Sequence, residues 1–218
     1  DLKPVKTDSV ELGLRGLVAN QYAYEIAVYH MEKTDDIVTV INSEDNRQSV
    51  NAGETTHQGI ELGLNGPVYQ GFSFNTSFSY TNQEYGDFSY TYFCFSCNPQ
   101  TQETNFDGND VGKAPKTLGN LSLRYEPLSN QKLMIEIELE HVGRYYTDET
   151  NTQEYSGHDL FNVRTQYQVT PDIKLYGRLQ NLTDKRYSTY TSNQVGSDAI
   201  SYRPGAPLTV FAGVRAQF

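Results

Sequence analysis

Apolar and polar residues alternate along this chain with a period of two. SFNTSFSYTNQEY sets Phe74, Thr76, Phe78 and Tyr80 on one side and Ser73, Asn75, Ser77, Ser79 and Thr81 on the other. KLMIEIELEHVGRYY sets Leu133, Ile135, Ile137 and Leu139 against Glu136, Glu138 and Glu140. DLFNVRTQYQV sets Phe161, Val163, Thr165, Tyr167 and Val169 against Asn162, Arg164, Gln166 and Gln168. VELGLRG and GIELGLNG repeat the pattern, with Val10, Leu12 and Leu14, then Ile60, Leu62 and Leu64, on the apolar side. Successive side chains of a strand point to opposite faces, so this period predicts strands with one oily and one wet face. No segment carries a helical period. About nine strands are predicted, near residues 7–18, 21–41, 50–65, 71–85, 114–126, 131–146, 157–169, 173–187 and 204–218.

The connections alternate as well. Short turns at Val18–Gln21, Gly66–Gln70, Pro127–Gln131 and Thr170–Asp172 interleave with longer links at Asn42–Gln48, Gly86–Lys113, Thr147–Ser156 and Ser188–Arg203. All long links therefore fall at one end of the sheet. Greek-key crossings of a soluble sandwich would scramble that order. Several strands are also far longer than the usual five or six residues of soluble sheets. A tilted membrane-crossing strand needs roughly 9–11 residues, and outer-membrane barrels pair short inner turns with long outer loops. The expected fold is all-β: a segment of an antiparallel up-and-down transmembrane β-barrel.

Charge follows the same parity. Glu11, Arg15, Glu25, Glu61, Arg124, Glu136, Glu138, Glu140, Arg164, Arg178 and Arg215 share one face, and the other is almost uncharged. A lipid-facing Arg or Lys at mid-bilayer costs about 2–4 kcal/mol, whereas a lumen-facing charge can pair across strands. Glu136, Glu138 and Glu140 are expected to form a lumen-wall ladder between Arg124 and Arg164.

Composition narrows the classes. The chain has 218 residues, 37% of them hydrophobic, with 17 Tyr and 10 Phe, so disorder is excluded by aromatic content. Net charge is −10, which argues against nucleic acid. Mean hydropathy is −0.62, a value that a barrel reaches by hiding its apolar half in alternation. No stretch approaches the roughly 18 apolar residues of a spanning helix. With no leader pattern at Asp1, a mature chain or a fragment is expected.

The two cysteines form one C-x-x-C, Cys94 and Cys97, open to readings as half a zinc site, a redox pair or a local disulfide. The second half of a zinc site is missing and no βαβ pattern surrounds the pair. A loop disulfide in an oxidising compartment is the expectation. His30, His57, His141 and His158 are scattered, so no protein-bound metal is expected. Glu140–His141 and His158–Asp159 are neighbours in sequence, but adjacent strand residues point to opposite faces, so no catalytic group is expected.

The chain's end carries a family resemblance. NLTDKRY (181–187) followed by YRPGAPLTVFAGVRAQF (202–218) resembles the close of a TonB-dependent outer-membrane transporter. That family ends in an N-L-x-D-x-x-Y strand end, a Pro-Gly-x-P entry and a last strand finishing in Phe. LKPVKTDSVELGLRG (2–16), NAGETTHQGIELGLNG (51–66) and GKAPKTLGNLSLRY (112–125) fit it too. The resemblance implies that residues 1–218 are the C-terminal part of a barrel of about 22 strands with a plugged lumen. It implies as well that an N-terminal plug and roughly the first thirteen strands are absent from this chain. It implies TonB-driven import of a ferric siderophore or similar scarce ligand across the bacterial outer membrane. It also implies as partners the energy-coupling complex reached through the plug, outer-membrane lipid and lipopolysaccharide, and the barrel-assembly machinery reached through the strand ending in Phe218. The alternatives are a passive porin and a soluble β-sheet binding protein; no cofactor and no enzymatic activity are expected.

Within that reading the aromatic outer loop Tyr85–Cys97 suits stacking on a flat ligand, which makes Tyr90, Tyr92 and Phe93 candidate ligand residues. Arg144, Tyr146 and Arg203 are candidates at the outer mouth, where arginine suits an anionic chelate. The loop acids Asp35, Asp36, Glu44, Asp45, Asp107, Asp110, Asp148, Glu149 and Glu154 are read as solvated, or as bridged by divalent cations to lipopolysaccharide phosphates.

Overall fold

In a computed structural model of the chain, residues 2–41, 47–51, 53–193 and 198–217 are described. Nine strands make the main sheet: β1 (Lys6–Val18), β2 (Tyr22–Thr34), β5 (Glu54–Pro67), β6 (Phe72–Tyr85), β9 (Thr117–Tyr125), β10 (Leu133–Val142), β13 (His158–Thr170), β14 (Ile173–Gln180) and β17 (Thr209–Ala216). They are antiparallel and follow chain order, each strand paired with the next. Each long link carries its own two-stranded hairpin: β3 (Ile37–Ile41) with β4 (Arg47–Asn51), β7 (Ser89–Phe93) with β8 (Thr101–Asn105), β11 (Tyr145–Tyr146) with β12 (Glu154–Tyr155), and β15 (Ser188–Asn193) with β16 (Ile200–Pro204).

These hairpins correct the sequence reading at four places. The stretch 21–41, read as one strand, breaks at Asp35, which takes a φ of 57°. The stretch 50–65 likewise divides between β4 and β5. The stretch 131–146 breaks after Val142, where the chain leaves the sheet at Gly143 and Arg144. The stretch 173–187 ends at Gln180, because Asn181 turns the backbone at a φ of 53°.

Register is the central fact. Pairings such as Leu12 with Val28, Val28 with Ile60 and Ile60 with Tyr80 carry the apolar parity from strand to strand. Leu121 with Leu139, Ile137 with Val163, and Leu179 with Val210 carry it to β17. A slip of one residue would turn a whole strand over. The one irregularity, between Gln168 and Thr170, lies at a strand end. Large apolar side chains consequently stay exposed, among them Leu12 at 75%, Val210 at 67% and Ile137 at 49%. Among the described residues, no second sheet packs on them. Such a face is stable only against hydrocarbon.

The apolar belt has defined edges. It spans Val10–Val18 on β1, Tyr22–Val28 on β2, Phe72–Tyr80 on β6, Leu133–Leu139 on β10 and Phe161–Val169 on β13. At about 3.3 Å per residue and a tilt of about 40°, that is roughly 20 Å of height, near the band such barrels present. Just above it the same face turns polar with Asp8, His30, Glu32, Gln58, Asn82, Glu84, His141 and Asp159. These side chains pair with one another: His141 contacts Asp159 at 2.7 Å and Thr117 at 2.9 Å. The oily parity is thus uncharged only within the hydrocarbon span.

The opposite face holds every charged residue that parity assigned to it. Arg124 donates twice to Glu136 at 2.9 and 3.1 Å, and Arg164 donates to Glu138 at 2.8 and 2.9 Å. Asn162 donates to Glu138 at 3.3 Å and to Glu140 at 2.7 Å. This is the expected ladder. Further round, Glu11, Glu25, Glu61 and Glu140 line a concavity of about 570 Å³. Glycines on both faces admit neighbouring rings. The Tyr24 hydroxyl lies 2.8 Å from where a Cβ on Gly16 would stand, and Tyr176 covers Gly213 more closely still.

The NLTDKRY stretch is a clasp. Asn181 is buried; its side chain donates to the carbonyls of Lys185 and Ala206 at 2.9 and 3.0 Å and accepts from the Lys185 amide at 2.8 Å. Asp184 accepts from the Leu208 amide at 2.9 Å, and the Tyr187 ring covers Gly205. The motif therefore fixes where β17 begins. Phe218, the residue expected to finish that strand at the membrane interface, lies outside the described residues.

Ile137→Arg and Gln166→Arg sit on opposite faces. Ile137→Arg is expected to lower folding stability in lipid bilayers by about 2–4 kcal/mol, and Gln166→Arg by much less. A urea titration of vesicle-inserted protein measures both.

Candidate functional site

All four long links lie at the outer end of the sheet, and there alone the chain builds an interior of its own. Phe88 and Phe106 are buried with ring centroids 5.6 Å apart, and Tyr85 stacks on Phe88 at 4.9 Å. This small core supports the β7–β8 hairpin above it. At the hairpin's tip Cys94 and Cys97 are joined by a disulfide. Beside it Phe93 and Phe95 meet edge to face at 4.8 Å, with Phe95 86% exposed. The side chains of Tyr90 and Tyr92 lie outside the described ones.

The β11–β12 hairpin holds two further candidates. The Arg144 guanidinium donates to Glu154 at 2.9 Å, so this mouth arginine is already paired. Tyr146 sits opposite Glu154 in the same hairpin. Arg203 is exposed on β16, and its carbonyl accepts from the Ser188 hydroxyl at 2.8 Å. The structure thus brings Arg144 and Tyr146 into one hairpin and sets Phe93 and Arg203 on two others.

Several loop acids are not solvated. Asp110 pairs with Lys116 at 2.8 Å and Glu149 with Lys113 at 3.8 Å. Asp148 is fully buried. The reading of these acids as a cation-bridging surface therefore fails for Asp110, Asp148, Glu149 and Glu154. Asp35 and Asp36 are paired with Lys6 and Lys33. Glu44 and Asp45 lie outside the described residues.

Sequence reasoning missed the polar knot around Asp148. Thr147, Asp148 and Thr191 have no exposed surface, and Asn193 is buried. Asn193 donates to Asp148 at 2.7 Å, and the Thr191 hydroxyl donates to the Tyr145 hydroxyl at 2.8 Å. Buried polar groups must find such partners. Short polar residues in a loop read as solvated, so the only signal was their density in TDETNT and STYTSN. Beside the knot runs an aromatic column, Tyr145, Tyr155, His158 and Tyr187, with successive centroids 5.2, 6.0 and 4.6 Å apart. The Ser188 amide donates to the Tyr155 hydroxyl at 3.1 Å, and that hydroxyl shares a hydrogen bond with His158 Nδ1 at 2.9 Å. Burial raises the Tyr155 pKa above the ordinary phenol value.

Among the described residues no group of three or more His, Cys, Asp or Glu is placed to hold a metal. Aromatic and arginine side chains thus stand on the hairpins beyond the end of the charged face of the sheet.

A protein-family model described as TonB dependent receptor-like, beta-barrel matches residues 1–182. The chain is 24% identical over 189 residues to the probable TonB-dependent siderophore receptor PiuA of Acinetobacter baumannii, spanning 86% of this chain and 24% of that one. The crystal structure of the siderophore receptor PiuA superposes with a TM-score of 0.76 at 21% identity, over 96% of this chain and 28% of that one. The ferric yersiniabactin uptake receptor FyuA of Yersinia pestis gives 0.76 at 20% identity, over 98% and 30%. The copper transporter OprC gives 0.73 at 17%, over 100% and 32%. The chain thus spans about a quarter to a third of the length of these relatives.

Thiol titration of the unfolded, unreduced protein is expected to find no free thiol, and two after reduction. Two free thiols before reduction would remove the disulfide from the outer tip.

Proposed function

Because this chain belongs to the TonB-dependent receptor β-barrel family and sits in the bacterial outer membrane, we propose that it is the C-terminal wall of an importer for a ferric siderophore. The observation that carries the proposal is the unbroken register of nine strands. In this reading one face of the sheet meets hydrocarbon, the other a wet lumen, and the long links form an aromatic, arginine-bearing mouth. The relatives named as siderophore receptors supply the cargo class. In this reading further strands close the sheet on β1 and β17, and a plug fills the lumen and transmits the pull of the energy-coupling complex. Delivery to the assembly machinery runs through the last strand and Phe218.

At the mouth, Phe93, beside the closed Cys94–Cys97 tip, offers a flat face to a planar chelate, and Tyr90 and Tyr92 remain candidates on sequence grounds. Arg203 and Tyr146 meet its anionic oxygens. Arg144 contributes by exchanging its partner Glu154 for the ligand, because arginine forks suit planar oxyanions. Catalysis has no part here: the protein's work is recognition and passage.

A second cargo is favoured by one observation, the similarity in fold to a copper transporter. The full-length gene, expressed in cells lacking their own siderophore receptors, separates the readings by uptake of labelled iron chelates and of copper. Iron uptake that vanishes without the energy-coupling complex is the expected result. Copper uptake alone would replace the cargo, and uptake independent of energy coupling would make the protein a passive porin. Phe93→Ala is expected to raise the KM for uptake by about tenfold, the loss of one stacking contact, with the maximal rate little changed.

A further inference from the structure

Three of the four outer loops are tied together through the link 143–157. On one side it meets the link 86–116. The Asp110 amide donates to the Asn151 side chain at 2.7 Å, and Asn151 donates back to the Asp110 carbonyl at 2.9 Å. Asn109 donates to the Glu149 carbonyl at 2.9 Å, and the Lys113 amide donates to the Tyr146 carbonyl at 2.7 Å. Gly112 lies against the Asp148 backbone so closely that a Cβ there would stand 2.8 Å from the Asp148 carbonyl carbon.

On the other side the link 143–157 meets the link 181–208. Asp148 is the hub. One carboxylate oxygen accepts from the Thr150 amide and hydroxyl at 3.1 and 2.7 Å, and the other accepts from the Asn193 amide group at 2.7 Å. Asn193 in turn accepts from the Thr147 hydroxyl, so its oxygen and nitrogen cannot exchange places without losing a bond. A buried carboxylate held by neutral donors is stable only while all of them stay in position.

We propose that Asp148 is a positioning residue that locks the outer links 86–116, 143–157 and 181–208 into one body, which opens as a unit. Its consequence is a preset mouth: Arg144, Tyr146 and Arg203 ride on the same block and keep their spacing whether or not a ligand is present. The proposal holds for any cargo, and preorganisation of this kind raises affinity by reducing the ordering that binding requires.

Hydrogen exchange on the full-length protein in lipid nanodiscs tests it, because amide protection reads the opening equilibrium of each segment. Asp148→Asn replaces one of the two acceptor oxygens by an amide donor, so either the Asn193 bond or the Thr150 amide bond is lost. It is expected to speed exchange about ten- to hundredfold, the loss of one hydrogen bond to a charged group. The acceleration should reach residues 109–113 and 188–193 alike, with β10 and β13 unchanged. The double variant Asp148→Asn with Asn193→Asp restores a donor facing an acceptor and is expected to return both segments to within about threefold of the parent. Acceleration confined to the link 143–157, or to only one neighbouring link, would overturn the single body. Failure of the double variant to restore protection would overturn the role of the Asp148–Asn193 bond. If Asp148→Asn does not assemble, the parent protein decides alone: the slowest amides of the three links should lose protection at one common urea concentration, and distinct midpoints would refute the proposal.

Discussion

Hydrocarbon offers no hydrogen-bond partner to a peptide group, so each strand that crosses it must satisfy its backbone on its neighbours. That constraint explains why the ladder runs from β1 to β17 with no crossover and with its one irregularity at a strand end. Once the ladder is continuous, the direction of every side chain is fixed by parity alone. The oily residues of all nine strands then share one surface, and the charged residues share the other.

The interior face uses that placement in its own way. Glu136 and Glu138 are buried beneath Arg124 and Arg164, each held by a pair of guanidinium hydrogen bonds. Charges taken out of water need such partners. The wall is therefore rigid over β9, β10 and β13 through charge pairing, while the outward face of the same strands relies on lipid contact. Two different solvents stabilise the two sides of one sheet.

Above the membrane the rules change again. Water is available, strands shorten into separate hairpins, and the chain builds small interiors from aromatics and short polar side chains. Phe88, Phe106 and Tyr145 are buried there, whereas the membrane sheet buries only Ala27 and Leu160 among its hydrophobic residues. The proposed recognition groups lie on that rim, and the knot at Asp148 joins two of its links through Asn193. Family membership and outer-membrane location follow from the whole pattern, while relatives of the same fold are named for different cargoes, siderophores and copper among them.

Much of this was legible in the sequence, because membrane strands obey a local rule. Alternation in KLMIEIELEHV or DLFNVRTQYQV needs no knowledge of partners, and the glutamate ladder followed from parity with one assumption about neighbouring strands. The C-x-x-C pairing and the division into short and long links were equally local. Register, strand ends and the fate of loop polar groups were not. Whether 131–146 is one strand depends on where β9 and β13 stop, and whether NLTDKRY is strand or clasp depends on Ala206 and Leu208 arriving beside it. Asp148 reads like any solvated loop acid, and its burial appears only when Asn193, forty-five positions later, closes over it. The sequence by itself determined which side of each strand is oily, since that is written in neighbouring residues. Tertiary structure alone decided which distant polar groups meet, since a hydrogen bond between loops depends on where the whole barrel carries their bases.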